Sequence, residues 1–150
     1  MQTVRLGRSG LEVSAVGLGC GGHSRLGMAT GHDEGDAVRI VQHALGLGIR
    51  FIDTARSYGT EAAVGKALRG RREGVVVSTK ASVRRGDDLV SAAELAASLD
   101  ESLRQLDTDY VDVFHLHGVA PGQYAHCVDV LVPELKRLQA SGKIRYIGIT

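Results

Sequence analysis

The chain has 150 residues, 43% of them hydrophobic, with 18 basic and 17 acidic side chains and a net charge of +1. It is long enough to bury the core of one domain, and its mixed charges leave no basic stripe for nucleic acid or anionic lipid. No apolar run approaches the roughly 20 residues of a membrane span, the charged start MQTVRLGRSGLEVS does not read as a signal peptide, and Cys20 and Cys127 lack a CxxC or metal-ligand spacing, so a reducing, cytoplasmic location is expected.

Residues 2–14 alternate around Gly7–Gly10 and predict a small β-hairpin. SAVGLG (14–19) predicts a first strand. A helix is expected from Asp33 to Leu47, with Ala37, Ile40, Val41, Ala44 and Leu45 on one face. RFID (50–53) is the second strand. TEAAVGKAL (60–68) predicts a second helix, with Thr60 as N-cap and Gly70 as its stop. VVVST (75–79) is the third strand. Ser91 and Glu94 have the spacing of a capping box, and Leu95, Leu99, Leu103 and Leu106 form the stripe of a third helix. YVDVFHLH (110–117) is strand four, VPELKRLQASG (132–142) a fourth helix, and IRYIGIT (144–150) strand five. No linker or low-complexity segment divides residues 1–150.

The unit is βα repeated four times plus one more strand. VVVS and IGI are apolar throughout, as parallel strands covered on both faces are. Two architectures fit this order: an open doubly wound sheet, or the front part of an eight-fold barrel. Gly17-Leu-Gly19-Cys-Gly21-Gly22 matches GxGxxG after a strand. A dinucleotide fingerprint, however, opens straight into a helix whose N-terminus holds the pyrophosphate. Here HSRLGMATGHDEG intervenes, and Asp53 follows Gly22 by about 31 positions where that pattern wants roughly 20. A loop on the rim after strand one is the expectation.

Asp53, Tyr58, Lys80 and His117 each fall at or just past the C-terminal end of a predicted strand. In parallel βα folds that rim is where chemistry is done. Tyr58 carries a transferable proton, and a cation close by makes a phenol a better donor. Lys80 can be that cation, Asp53 can orient it, and His117 can hydrogen-bond an oxygen that gains charge. None of the four supplies a hydride, so an external donor such as a nicotinamide is required. Each has a plainer reading: Asp53 as a loop cap, Tyr58 as turn packing beside Gly59, Lys80 as a solvated surface charge. His115 shares a face with His117 and is expected one layer deeper, as a hydrogen-bonded interior residue. A second chemistry is also open. His115 and His117 with Asp53 could ligate a metal in a hydrolase, though that leaves Tyr58 and Lys80 without roles.

FIDTARSYG followed by TEAAVG, then VVVSTK, SLDESLRQLDTDYVDVFHLH and GKIRYIGIT, closely resembles the aldo-keto reductase superfamily in order and spacing. The opening RLGRSGLEVSAVGLGCGG is similar as well, so the resemblance covers essentially the whole chain. It implies a (β/α)8 TIM barrel, present here as an N-terminal hairpin plus roughly (βα)4β and forming one incomplete domain over 1–150. It implies an oxidoreductase that reduces an aldehyde or ketone with NADP(H) in preference to NAD(H), or runs the reverse reaction. By the same resemblance Tyr58 is the general acid, Lys80 and Asp53 its support, and His117 the substrate-orienting imidazole. The resemblance also implies that Gly19, Cys20, Gly21 and Asp53 lie near the nicotinamide ribose, and that Thr150 falls where a short motif holding the carboxamide begins. A complete barrel runs to about 250 residues. With both sheet edges open, and Val111 and Val113 of the inner face meeting water, these 150 residues are expected to be inactive on their own. A non-catalytic binding or regulatory subunit of the same fold is the alternative. The substrate is not specified, because only the loop HGVAPGQYAHC after strand four contributes a pocket wall.

Overall fold

In the computed structural model, which describes residues 1–150, the N-terminal hairpin forms as β1 (Thr3–Arg5) against β2 (Glu12–Ser14), with Val4 opposite Val13. The next strand is shorter than the predicted span 14–19. Ser14 ends the hairpin, and only β3 (Leu18–Gly19) pairs onward, with β4 (Phe51–Asp53). The Ser14 hydroxyl explains the shortening. It accepts the Arg50 backbone N–H at 2.8 Å and donates to the Val16 carbonyl at 2.7 Å, which makes residues 14–16 a corner.

The remaining strands of the sheet are β5 (Val76–Ser82), β8 (Val111–His117) and β9 (Ile144–Ile149). A short hairpin absent from the sequence reading, β6 (Arg84–Arg85) against β7 (Asp88–Leu89), follows β5. The sheet order is β3-β4-β5-β8-β9, and every neighbouring pair is parallel. In a doubly wound sheet the order reverses at a switch point, whereas here each strand adds beside the last, as in a (β/α)8 barrel. The sheet is part of such a barrel.

Each connecting helix is started by its own chemistry. α1 (Glu34–Gly46) is capped by Asp33, which accepts the Asp36 N–H at 2.8 Å, while Asp36 returns a bond to the Asp33 N–H at 3.3 Å. It buries Ala37, Val41, Ala44 and Leu45, but Ile40, expected on the same face, is 42% exposed. α3 (Ala92–Leu106) forms the Ser91–Glu94 capping box and buries Leu95, Leu99, Leu103 and Leu106. α2 (Glu61–Leu68) departs from expectation, because Thr60 sits at the N-cap position and makes no cap bond.

The fourth helical segment begins well before Val132. After a 3₁₀ turn at Pro121–Gln123 come α4 (Tyr124–His126), a π-helical stretch (Cys127–Leu131) and α5 (Val132–Ala140). Pro133 has no N–H to donate, and its ring crowds the carbonyl four residues back. The wider π turn absorbs this, with the Val132 N–H bonding the Cys127 carbonyl five residues away.

The main core of 27 buried residues lies between the sheet and the helices and includes Ile52, Val77, Phe114, Leu95 and Leu99. A cluster of four, Leu11, Val13, Val76 and Val113, lies where the hairpin packs on the opposite face of the sheet. This corrects one expectation: Val113 is only 8% exposed, because Leu11 and Val13 cover it, and Val111 is fully buried as part of the main core. Tyr146 on β9 locks the cover by donating its hydroxyl to the Ser9 carbonyl.

Candidate active site

Strand pairing sets the site. Asp53 is opposite Ser78, Lys80 opposite His115, and Ser82 opposite His117, so Asp53, Ser78, Lys80, His115 and His117 share one face of β4, β5 and β8. Tyr58 reaches the same place from a 3₁₀ turn (Arg56–Tyr58) after β4. Gly59, at φ 70°, gives the left-handed step that redirects the chain into α2.

Lys80 is the hub. Its Nζ donates to Asp53 Oδ2 at 2.6 Å and to the Thr54 carbonyl at 2.9 Å, and Lys80 is only 6% exposed. Ser78 Oγ donates to the other carboxylate oxygen, Asp53 Oδ1, at 2.9 Å. The carboxylate is therefore held at both oxygens and offers the ammonium one fixed lobe. A buried ammonium without such a partner would lose its proton rather than remain in the core.

The Tyr58 ring lies against that ammonium, with Nζ 5.2 Å from its centroid. His117 meets the ring edge-to-face, with centroids 5.7 Å apart and planes at 85°. Burial pushes the His117 imidazole below its ordinary value of 6.5, and the Lys80 charge adds to the shift. His117 is thus neutral at neutral pH and can donate one N–H. His115 is shifted down for the same two reasons, in the same order. Its Nδ1 is buried with no hydrogen-bond partner, contrary to the expected bonded interior residue. The facing strand explains this, since His115 pairs with Gly148, which has no side chain to answer it. A Cβ at Gly148 would collide with that nitrogen, so the glycine makes room for the ring.

The glycine loop borders the same group. The Cys20 N–H bonds the Asp53 carbonyl at 2.8 Å, which extends the pairing of Gly19 with Asp53. A Cβ on Gly19 would meet nothing within 4 Å, whereas one on Gly21 would strike the Tyr58 ring at 2.6 Å. Beyond Gly22 the chain enters a 3₁₀ turn at Met28–Thr30 and reaches α1 only at Glu34, so the glycines do not open a helix. Burial, then Asp53, push the Cys20 thiol up to about 12, leaving it protonated and unreactive. Thr150 follows β9 and is tied to the loop after β8: its Oγ1 accepts the Gly118 N–H at 3.0 Å and its carbonyl the Val119 N–H at 2.8 Å.

Ser78 and Thr54 belong to this group and were not singled out from the sequence. Ser78 was legible, because a residue two before Lys80 on a strand shares its face. Asp53 is committed to Lys80 and Ser78, and no three His, Cys, Asp or Glu side chains gather at metal-ligand spacing. A cavity of about 740 Å³ lies beside β3 and α1, lined by Gly19, Leu26, His32, Ile40 and His43 among others. No helix is long and apolar enough to cross a membrane.

The sequence pattern of the Aldo/keto reductase family matches residues 17–150. L-galactose dehydrogenase of Arabidopsis thaliana is 42% identical over 153 aligned residues, covering 97% of this chain and 47% of that protein. An aldo-keto reductase from Bacillus halodurans, solved in its holo form, superposes with a TM-score of 0.83 at 36% identity, covering 100% of this chain and 50% of that one. An aldo/keto reductase from Klebsiella pneumoniae, solved with NADP and acetate, gives 0.75 at 32% identity over 98% and 48% of the two chains. The chain spans about half the length of the curated relatives it matches.

Proposed function

The chain belongs to the aldo/keto reductase family, and on that premise we propose that it carries the proton-transfer side of an NAD(P)H-dependent reduction of an aldehyde or ketone to an alcohol, or the reverse. One observation carries the reading: the Lys80 ammonium is fixed on Asp53 at 2.6 Å and sits 5.2 Å from the Tyr58 ring centroid. The phenolate left by proton transfer is then stabilised by a charge already in place, with no reorganisation needed at the moment of reaction.

Tyr58 is the general acid and gives its hydroxyl proton to the carbonyl oxygen as that oxygen gains charge. His117, kept neutral by burial and by Lys80, donates a hydrogen bond to the same oxygen and orients the substrate. Ser78 holds the far lobe of Asp53, so the near lobe stays on Lys80. The donor set fits a nicotinamide: every member moves or steadies a proton, and none supplies a hydride. A bound nicotinamide supplies that hydride. Gly19, Cys20, Gly21, Asp53 and Thr150 would border it, and the open space at Gly19 leaves the backbone free for close approach. NADPH is favoured over NADH, in line with the NADP held by the Klebsiella pneumoniae relative.

Reduction is expected of a closed barrel, because β3 and β9 each have only one sheet neighbour. The test measures NADPH consumption with a panel of aldehydes and ketones, and NADP+ reduction with alcohols and sugars, L-galactose included. It uses the chain alone and the chain joined to the half of the Bacillus halodurans enzyme that it does not cover. The joined protein is expected to reduce at least one aldehyde, and the chain alone to do little. A joined protein that folds and binds NADPH yet turns over nothing would make this a binding or regulatory subunit.

A further inference from the structure

α2 starts unlike its neighbours. α1 and α3 are capped by the exposed side chains of Asp33 and Ser91, while Thr60 and Glu61, at the start of α2, are buried and bond away from their own helix. The Thr60 hydroxyl is 2.9 Å from that of Thr54, and both residues are fully buried. Glu61 is 4% exposed, and its Oε1 accepts from Thr79 Oγ1 at 2.6 Å. An acidic residue in a first helical turn needs no burial to favour the helix dipole. Burying one is costly, as the upward shift of its carboxyl by desolvation reflects.

The two bonds end beside the proposed acid and its cation. Thr79 immediately precedes Lys80 on β5, and Thr54 supplies the carbonyl that accepts from Lys80 Nζ at 2.9 Å. Thr60 and Glu61 follow directly on the turn Arg56–Tyr58 and Gly59. From Lys80, then, two short buried paths run to the residues that anchor the Tyr58 turn, one through Thr79 to Glu61 and one through Thr54 to Thr60. Both lie on the side of the sheet away from the substrate.

We propose that Glu61 is a positioning residue: through Thr79 it fixes the turn carrying Tyr58 against the strand carrying Lys80, and so sets the phenol–ammonium geometry. The inference rests on the reading of Tyr58 and Lys80 as the working pair, but its test reads geometry and needs no turnover, so a failure of aldehyde reduction leaves it standing or falling separately.

The chain has four tyrosines, so labelling the ring carbon that bears the hydroxyl with ¹³C gives four NMR signals, assignable by Tyr→Phe variants. Glu61→Ala and Thr79→Val are each expected to move the Tyr58 signal and to weaken the cross-peak between its ring protons and the Lys80 Hε protons. The signals of Tyr110, Tyr124 and Tyr146 are expected to stay in place. Glu61→Gln keeps an acceptor oxygen for Thr79 and is expected to restore the parent pattern. If Glu61→Ala fails to fold, Thr79→Val, close to threonine in shape, decides. A Tyr58 signal unmoved in Thr79→Val overturns the proposal, and so do four signals that move together, which would report a general loosening.

Discussion

The backbone of Gly21 lies against the ring of Tyr58: a methyl group at Gly21 would come within 2.6 Å of Cε2 and 2.8 Å of Cζ. Both atoms belong to a rigid ring whose other neighbours are the Lys80 ammonium and the His117 imidazole. The glycine is therefore one wall of the slot that holds the phenol, and its lack of a side chain is what the slot requires.

Gly21→Ala is expected to tilt the Tyr58 ring away from Lys80, at a cost of about 1–3 kcal/mol in overpacking. A displacement of about 1 Å at a reacting group lowers turnover roughly 10²-fold. Steady-state kinetics of the joined protein, beside its melting temperature, check this. Turnover within a few-fold of the parent would show that the ring has room to spare.

Asp53, Lys80 and His117 were legible because each lies in the C-terminal part of a strand, where a two-residue period and parallel order fix which side chains converge, and Tyr58 follows in the turn directly after β4. Glu61 and Thr79 were not, because nothing in TEAAVGKAL says that the first-turn carboxylate points inward. Its partner Thr79 lies on another strand and comes opposite it only once the helix has packed. The early start of the fourth helix was hidden in a similar way. Pro133 reads as a helix start, since proline favours the first turn, and only the π turn before it lets the helix run through. The apolar stripe likewise gave α1 and α3 their true faces yet placed Ile40 in the core. That residue turns instead toward the cavity beside β3.

Tyr58→Phe removes the transferable proton and leaves the ring in its slot. Carbonyl reduction is expected to fall by about 10²–10⁴-fold, the usual worth of a positioned acid, with NADPH affinity nearly unchanged. Initial rates beside a cofactor-binding titration separate the two effects. Activity within a few-fold of the parent would take the acid role from Tyr58.

Lys80→Met and Lys80→Arg divide charge from geometry. Methionine leaves Asp53 Oδ2 and the Thr54 carbonyl without the Lys80 donor, and it leaves the phenolate without a charge, so reduction is expected to collapse and stability to fall. Arginine keeps the charge but brings a planar fork into a place shaped for one compact ammonium bonded at 2.6 and 2.9 Å. It is expected to rescue poorly. Full rescue, read as kcat at saturating cofactor, would mean that Lys80 supplies only a diffuse positive field.

Acid sensitivity is expected to reside in the two histidines of β8. Both imidazoles are held below their ordinary 6.5 in the fold, first by burial and then by Lys80. A depressed histidine means that the unfolded chain binds the proton more readily. The stability it contributes is thus fully present above about pH 6.5 and is lost as pH falls below that value. Glu61 runs the other way: its carboxyl is raised from 4.5 by burial, so its contribution is present below about pH 4.5 and declines as pH rises through its folded value. The two trends oppose each other between these limits, and single variants separate them. His115→Asn removes the imidazole whose Nδ1 is buried without a partner, so its melting temperature is expected to drop less than the parent's between about pH 7.5 and pH 5.5, the range over which histidine changes charge. Glu61→Gln removes the opposing trend, so as pH is lowered toward about 4.5 it is expected to lack the stability that the parent gains there. Identical drops in parent and His115→Asn would place the acid sensitivity outside this histidine.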